Sequence, residues 1–416
     1  MLNILKIAVR NLARFGRRTL LTSSLITLGI VGVLLFVAVS GSFKSIMIGQ
    51  FTDSMLGHLE VHRRGYVASI DSLPLNLNMP AAMVGKVEQV LGKMDAVESY
   101  SERIKLGAMF SNFTETTSMR VNGVDPAREV ATMPLLAGRM VGEKRAGPLL
   151  KPGEVLIPEL IARGMKVTTG DIVVLVATNR DGSVNGKTFT VGGVMRSASG
   201  PSGKDGYIHI EDARALLRMK EAEVSEFAIR LKDPAQLDQV YARLKQDLSG
   251  LLNKEGRPVL EVHTWADLSP FSSIVRMIDL LAVFIKIMMV SIVLIAVMNV
   301  MVMAVYERIR EIGTISAIGT PPRRILALFL TEGLLLGVGG AALGTLISLA
   351  AIYALNIWKV SIRFGMQPDA IQLAPSISAA DIAAIAAMVI VMALLASLQP
   401  AWKASRMDPV TALGHV

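Results

Sequence analysis

Residues 299–325 read NVMVMAVYERIREIGTISAIGTPPRRI. An apolar run gives way after Tyr306 to Glu307, Arg308, Arg310 and Glu311, then to Gly313, Gly319, a double proline, and Arg323 and Arg324 before apolar sequence resumes. Charges of both signs at this spacing can make ion pairs and charge-assisted hydrogen bonds to a protein surface. They are too many to sit in hydrocarbon, and the stretch is too short to fold alone. It reads as a rigid charged elbow between two membrane helices, built to contact another molecule at the membrane surface.

Other chemistry-bearing spacings are weaker. Gly182, Gly186, Lys187 and Thr188 resemble a phosphate-binding loop, but the spacing is one residue short of G-x-x-x-x-G-K-[ST], and a hairpin turn explains them better. His58 and His62 would share a helix face, yet their surroundings alternate as a strand, which puts them about 13 Å apart. There is no H-E-x-x-H and no G-x-S-x-G. The sequence offers no catalytic residues, no metal site and no cofactor of its own.

The elements that carry the elbow are membrane spans. The chain has 416 residues and is 52% hydrophobic, with a mean hydropathy of +0.49. The hydrophobicity is concentrated in four stretches, 20–39, 285–305, 325–353 and 382–398, each close to the roughly 20 residues that cross a bilayer. Residues 1–18, the elbow and residues 400–416 together supply +8 of the formal net charge of +9. No basic groove is left for a nucleic acid. The positive-inside rule instead places both termini and the elbow in the cytoplasm, and the segment after the first span outside. The absence of cysteine suits an extracytoplasmic domain without disulfides.

Residues 1–18 form an amphipathic surface helix with Lys6, Arg10, Arg14 and Arg17 on one side. Residues 19–56 are the first span and a stalk. Phe43, Ile46, Met47, Phe51 and Met55 continue its apolar stripe past the hydrocarbon. Residues 57–264 alternate strand and helix patterns, an α+β domain in two subdomains, with a Gly/Ser/Pro-rich loop at 195–205. Residues 265–305 are the second stalk and span, with Ser269 and Pro270 as helix start. The elbow (306–324), third span (325–353), an outer loop (354–381) containing Pro368 and Pro375, fourth span (382–399) and tail (400–416) complete the chain. Gly333, Gly337, Gly340 and Gly344 make two small-xxx-small pairs that permit close helix approach. Glu332 lies inside the third span, where an unpaired carboxylate is costly, and is expected to face protein or the nearby arginines.

Three motif regions and this topology carry a resemblance. They are Ala8-Val9-Arg10-Asn11-Leu12 through Arg17-Arg18-Thr19-Leu20-Leu21-Thr22; Glu307 to Gly313 with Ala317-Ile318-Gly319; and Pro400-Ala401 through Arg406-Met407-Asp408-Pro409-Val410-Thr411-Ala412-Leu413. Together the chain resembles the MacB/LolC/FtsX family of ABC-transporter permeases. It departs from MacB in lacking a fused ATPase, and the 265–271 and 207–217 regions look most like the lipoprotein-releasing LolC and LolE permeases.

The resemblance implies a four-helix integral membrane permease of the bacterial inner membrane with a large extracytoplasmic domain. It implies an ATPase dimer, holding ATP and Mg, docked at Glu307, Arg308, Arg310, Glu311, Arg323 and Arg324, with Gly313 and Gly319 shaping the turn. A second permease copy or paralogue completes the dimer, and stalks transmit motion outward. The expected substrate is a lipoprotein or other amphiphile, for which Phe43, Met47, Phe51, Met277 and Leu281 are cavity candidates. Alternatives are peptide or drug efflux with an adaptor, and FtsX-like regulation of a cell-wall hydrolase.

Overall fold

The computed structural model describes residues 2–142, 147–196, 201–253, 255–362, 371–409 and 412. The chain runs α1 (Leu2–Arg14), α2 (Gly16–Phe51), β1 (Leu59–Arg63), α3 (Ala81–Leu91), β2 (Val97–Ser111), β3 (Thr116–Val124), α4 (Pro126–Thr132), β4 (Glu154–Pro158), α5 (Glu159–Gly164), β5 (Ile172–Thr178) and β6 (Val184–Met195). It continues as β7 (Asp205–His209), α6 (Ile210–Leu216), β8 (Glu226–Leu231), α7 (Leu237–Leu248), β9 (Leu260–Thr264), α8 (Trp265–Leu268), α9 (Ser272–Glu307), α10 (Ile309–Ala317), α11 (Pro322–Trp358), β10 (Ser361–Ile362), β11 (Ile371–Gln372) and α12 (Ala379–Ser405). Two compact units result: a helical one, Met1–Ser45 with Ile274–Val416, and an α+β one, Ile46–Ser273.

Among the described residues four helices, α2, α9, α11 and α12, are long and apolar enough to cross a membrane. α2 and α9 have 36 residues each, about 54 Å at the helical rise, well beyond about 30 Å of hydrocarbon. α9 begins at Ser272 and not at Ser269-Pro270 as the sequence suggests. The reason is local: Thr264 and Asp267 form a reciprocal capping box that starts the one-turn α8, which ends on an extended Ser269.

The glycines of α11 decide how the helical unit closes. A Cβ on Gly333 would collide with Ser397, and one on Gly337 would lie 2.8 Å from Ala393, both on α12. A Cβ on Gly344 would lie 2.8 Å from Ile30, and one on Gly340 would meet Ile26, both on α2. The two glycine pairs therefore serve two different partner helices. Ile26, Ile30, Val293, Phe329, Leu336 and Val389 fill the core between them.

In the α+β unit, strands β3, β7, β4, β6, β5 and β2 pair in a closed circuit, because β2 bonds both β5 and β3. Strands β8, β1 and β9 extend from the other end of β2. The 15-residue β2 thus serves two cores. One fills the circuit with Ile104, Leu106, Phe110, Val155, Leu175 and Phe189. The other sets Leu59, Val61, Phe227 and Ile229 against the helices with Val87 and Leu244. These two cores occupy the place of the expected subdomains, on one shared sheet.

The near-miss phosphate loop is a hairpin: β5 and β6 pair from Ile172↔Thr190 to Thr178↔Val184. Its Lys187 Nζ bonds Asp212 Oδ1 at 2.5 Å. Of the expected loop at 195–205, residues 197–200 lie outside the described residues, and Pro201–Lys204 forms a short turn of helix. Residues 363–370 of the outer loop, with Pro368, and residues 410, 411 and 413 of the tail motif also lie outside them.

Candidate functional site

The elbow is a nine-residue helix, α10, set off from α9 by one residue, Arg308, with non-helical backbone. Its apolar positions Ile309, Ile312 and the small Gly313 face inward and are buried. Gly313 is therefore a mid-helix contact and not a turn residue; the turn belongs to Gly319, whose φ of +89° favours glycine.

Arg308 was grouped by sequence with the docking charges, and the structure corrects this. Its side chain is 4% exposed, its Nη1 donates to Glu332 Oε1 at 2.8 Å, and its guanidinium stacks over Phe15 at 4.5 Å. Asn11 Nδ2 donates to the same Glu332 oxygen at 2.8 Å. A charge inside an apolar bundle must be paired, and Glu332 supplies the pair. Around it, Arg18 bonds Glu307 at 2.7 Å, and Arg14 lies 3.6 Å from Glu311. The triad of Asn11, Arg308 and Glu332 ties α1, the α9–α10 break and α11 together.

This leaves Arg310, Glu311, Arg323 and Arg324 exposed on the outer side. Ile315 and Ile318 join them, 41% and 80% exposed. Sequence reasoning passed over both isoleucines, which set apolar area among the charges of the outer face. Of the cavity candidates, Met47 is buried, Phe43 half-buried, and Met277 and Leu281 are 56% and 48% exposed in the single chain. Phe51 lines a cavity of about 190 Å³ in the α+β unit, where it stacks on Phe271 at 4.3 Å.

A second concentration of charge lies in the α+β unit, and sequence reasoning missed it. Alternation along β1, β8 and β2 sends Leu59, Val61, Phe227 and Ile229 into one core and puts Glu60, His62, Glu226, Arg103 and Lys105 on the opposite face. His62 pairs with Glu226 and Glu226 with Arg103 across three adjacent strands. Arg103 makes a two-toothed bond to Glu129 at 2.7 and 3.1 Å and reaches Glu226 at 3.2 Å. Lys105 Nζ lies 2.7 Å, and His62 Nε2 3.1 Å, from Glu226 Oε2.

Glu60, His62 and Glu226 place ligand atoms within 4.8 Å of one another, a spacing that could hold a metal ion. The Lys105 ammonium and Arg103 guanidinium already sit against Glu226, so side-chain cations occupy the ground an ion would need. Burial would raise the Glu226 carboxyl, but Lys105, His62 and Arg103 outweigh it and hold it well below the usual range. Glu60 goes the other way: burial, with Glu226 beside it, pushes it up to about 8. Burial lowers His62, which keeps the ring neutral at pH 7.

An α+β domain inserted after the first of four membrane helices, with a short charged helix between the second and third, is the architecture of an FtsX-like permease. The chain belongs to the family of the MacB-like periplasmic core domain, whose model matches residues 19–247, and the FtsX-like permease C-terminal model matches residues 283–409. It is 32% identical over 239 residues to the pyoverdine export ATP-binding/permease protein PvdT of Pseudomonas syringae pv. tomato, covering 54% of this chain and 33% of that one. It is 31% identical over 237 residues to the macrolide export ATP-binding/permease protein MacB of Nitrosomonas europaea, with 54% and 33% covered. The chain thus spans about a third of the length of these relatives. The lipoprotein-releasing system transmembrane protein LolC of Haemophilus influenzae is 23% identical over 419 residues, covering 97% of this chain and 95% of that one. Among solved structures, the periplasmic region of MacB from Actinobacillus actinomycetemcomitans matches with a TM-score of 0.37 and 12% identity, covering 53% of this chain and 92% of that one.

Proposed function

We propose that this chain is the permease subunit of an ABC transporter that works by mechanotransmission in the bacterial inner membrane. In this reading both termini and α10 are cytoplasmic, and the α+β domain is extracytoplasmic. A separate ATPase dimer, carrying ATP and Mg, docks on α10, and a second permease copy or paralogue covers the exposed apolar faces of α2 and α9. The substrate is a lipoprotein or another amphiphile drawn from the membrane. The observation that carries the reading is the arrangement at α10: its inner face is pinned by Arg308, Glu332 and Asn11, while Arg310, Glu311, Ile315 and Ile318 point outward. A helix so held can pass a push from a docked partner into α9 and α11 without absorbing it. The likeness to LolC over nearly the whole of both chains supports the amphiphile substrate.

The test is purification of the tagged chain in mild detergent with mass spectrometry of retained proteins and lipids. An ATPase should be retained with the wild type and lost with Arg310→Glu/Glu311→Lys, while membrane insertion persists. Retention by the variant would reject α10 as the dock. The likeness to PvdT and MacB, both named for export, favours a second reading, efflux through a periplasmic adaptor. A co-purifying adaptor in place of a lipoprotein would establish it.

A further inference from the structure

We propose that the cavity walled by Phe51, Leu56, Leu268 and Phe271, with Glu60 in its lining, is a binding site for a small organic cation, an ammonium group on an apolar body. The proposal rests on the α+β unit alone and does not depend on the transport reading.

The volume of the cavity sets the size of what it can hold. A cavity of roughly 150 Å³ lined by apolar side chains accommodates benzene, and this one measures about 190 Å³. One aromatic or short aliphatic body with a single polar group fills it. The Phe51–Phe271 stack and the flanking leucines offer that body an apolar wall, and aromatic faces also attract cations.

The sign of the ligand's charge follows from which polar group in the lining is left over. Lys105 is committed to Glu226 at 2.7 Å, and Arg120 lies 3.5 Å from Asp71. Glu60 is 1% exposed, yet neither of its carboxyl oxygens has a hydrogen-bond partner among the described residues. His62 Nε2 lies 3.3 Å from Glu60 and closer, at 3.1 Å, to Glu226 Oε2, with which it is hydrogen-bonded. Arg103 Nη1 stands 3.9 Å away and spends its bonds on Glu226 and the Met55 carbonyl. A buried carboxyl without partners is costly, and a donor entering the cavity supplies what it lacks. An anionic ligand would face Glu60, Asp71 and Asp205 and would have to pull Lys105 off Glu226.

The groups facing Glu60 are His62 on its own strand, Tyr66 just beyond it, Glu226 on β8, Arg103 and Lys105 on β2, and Glu129 on α4. Burial, with the Glu226 and Glu129 carboxylates, outweighs Lys105 and Arg103 and keeps Glu60 protonated near neutral pH, so an arriving ammonium must displace that proton and form an ion pair. Binding and proton release are therefore linked.

The experiment uses the full chain in lipid nanodiscs, titrated with benzylamine by isothermal calorimetry at pH 6, 7 and 8 in two buffers of different protonation enthalpy. Benzyl alcohol, benzoate and empty nanodiscs are the controls. Benzylammonium should bind at least about tenfold tighter than either control, tighten by up to about tenfold per pH unit, and release close to one proton below pH 8. Glu60→Gln keeps the shape and should abolish proton release with at least about a tenfold loss of affinity; Leu268→Trp should fill the cavity and block binding. Equal binding of benzyl alcohol or benzoate, no binding of the amine, or amine binding untouched by Glu60→Gln would each overturn the proposal.

Discussion

Arg308 and Glu332 form a buried ion pair, 2.8 Å between Nη1 and Oε1, that joins the break between α9 and α10 to the interior of α11. Neither side chain is more than 4% exposed, and Asn11 donates to the same carboxylate oxygen from α1. The pair is a structural pin under α10, and its chemistry differs from that of the exposed charges beside it.

Removing one partner strands a charge in an apolar surrounding. Glu332→Ala should cost about 3–5 kcal/mol, whereas Arg308→Met combined with Glu332→Leu should recover most of the loss. Thermal unfolding of the purified chain in detergent reads both. A double variant as unstable as the single one would mean that the charges themselves are required.

The helix contacts predict a contrast between neighbouring glycines. Gly333→Ala places a methyl group onto Ser397, while Gly339 has nothing within 4 Å of its Cβ position. The first should destabilise the helical unit by about 1–3 kcal/mol, and Gly339→Ala should be neutral in the same assay. Equal effects would show that α11 and α12 do not meet through this face.

Ile318, 80% exposed at the end of α10, is expected to act in docking and not in folding. Ile318→Asp should leave the unfolding temperature within a degree or two of wild type and reduce ATPase co-purification at least about tenfold, since central apolar contacts dominate interfaces. Undiminished co-purification would exclude it from the contact.

The α+β domain should lose stability with rising pH through Glu60. Its folded carboxyl titrates at about 8, far above its unfolded value of 4.5. Between these values the unfolded chain has released a proton that the folded chain retains, so stability falls as pH rises from about 4.5 to about 8. Glu226 works oppositely, and its contribution is lost only in acid, below the ordinary carboxylate range. Glu60→Gln should therefore match wild type near pH 5 and exceed it by up to roughly 3 kcal/mol near pH 7. Urea unfolding followed by Trp265 fluorescence, with Trp358 and Trp402 replaced by Phe, measures this. A constant difference between the two proteins across that range would refute the assignment.

The four membrane helices and the charged elbow were legible in the sequence because each depends on a local sum. About 20 apolar side chains decide a span, and a run of Glu and Arg between two such spans cannot remain in lipid. Gly333 to Gly344 likewise announced close approach, though not that one pair meets α12 and the other α2. The tertiary structure alone decided the rest. Arg308 and Glu307 are adjacent, yet the single non-helical residue between α9 and α10 turns one inward and leaves the other outside. His58-Leu59-Glu60-Val61-His62 has the alternation of a strand with one wet face, and residues 103, 105 and 226, which bury that face, lie far away in the chain. Strand register and helix crossing bring such partners together. They are settled by packing summed over the whole domain, which no local stretch of sequence contains.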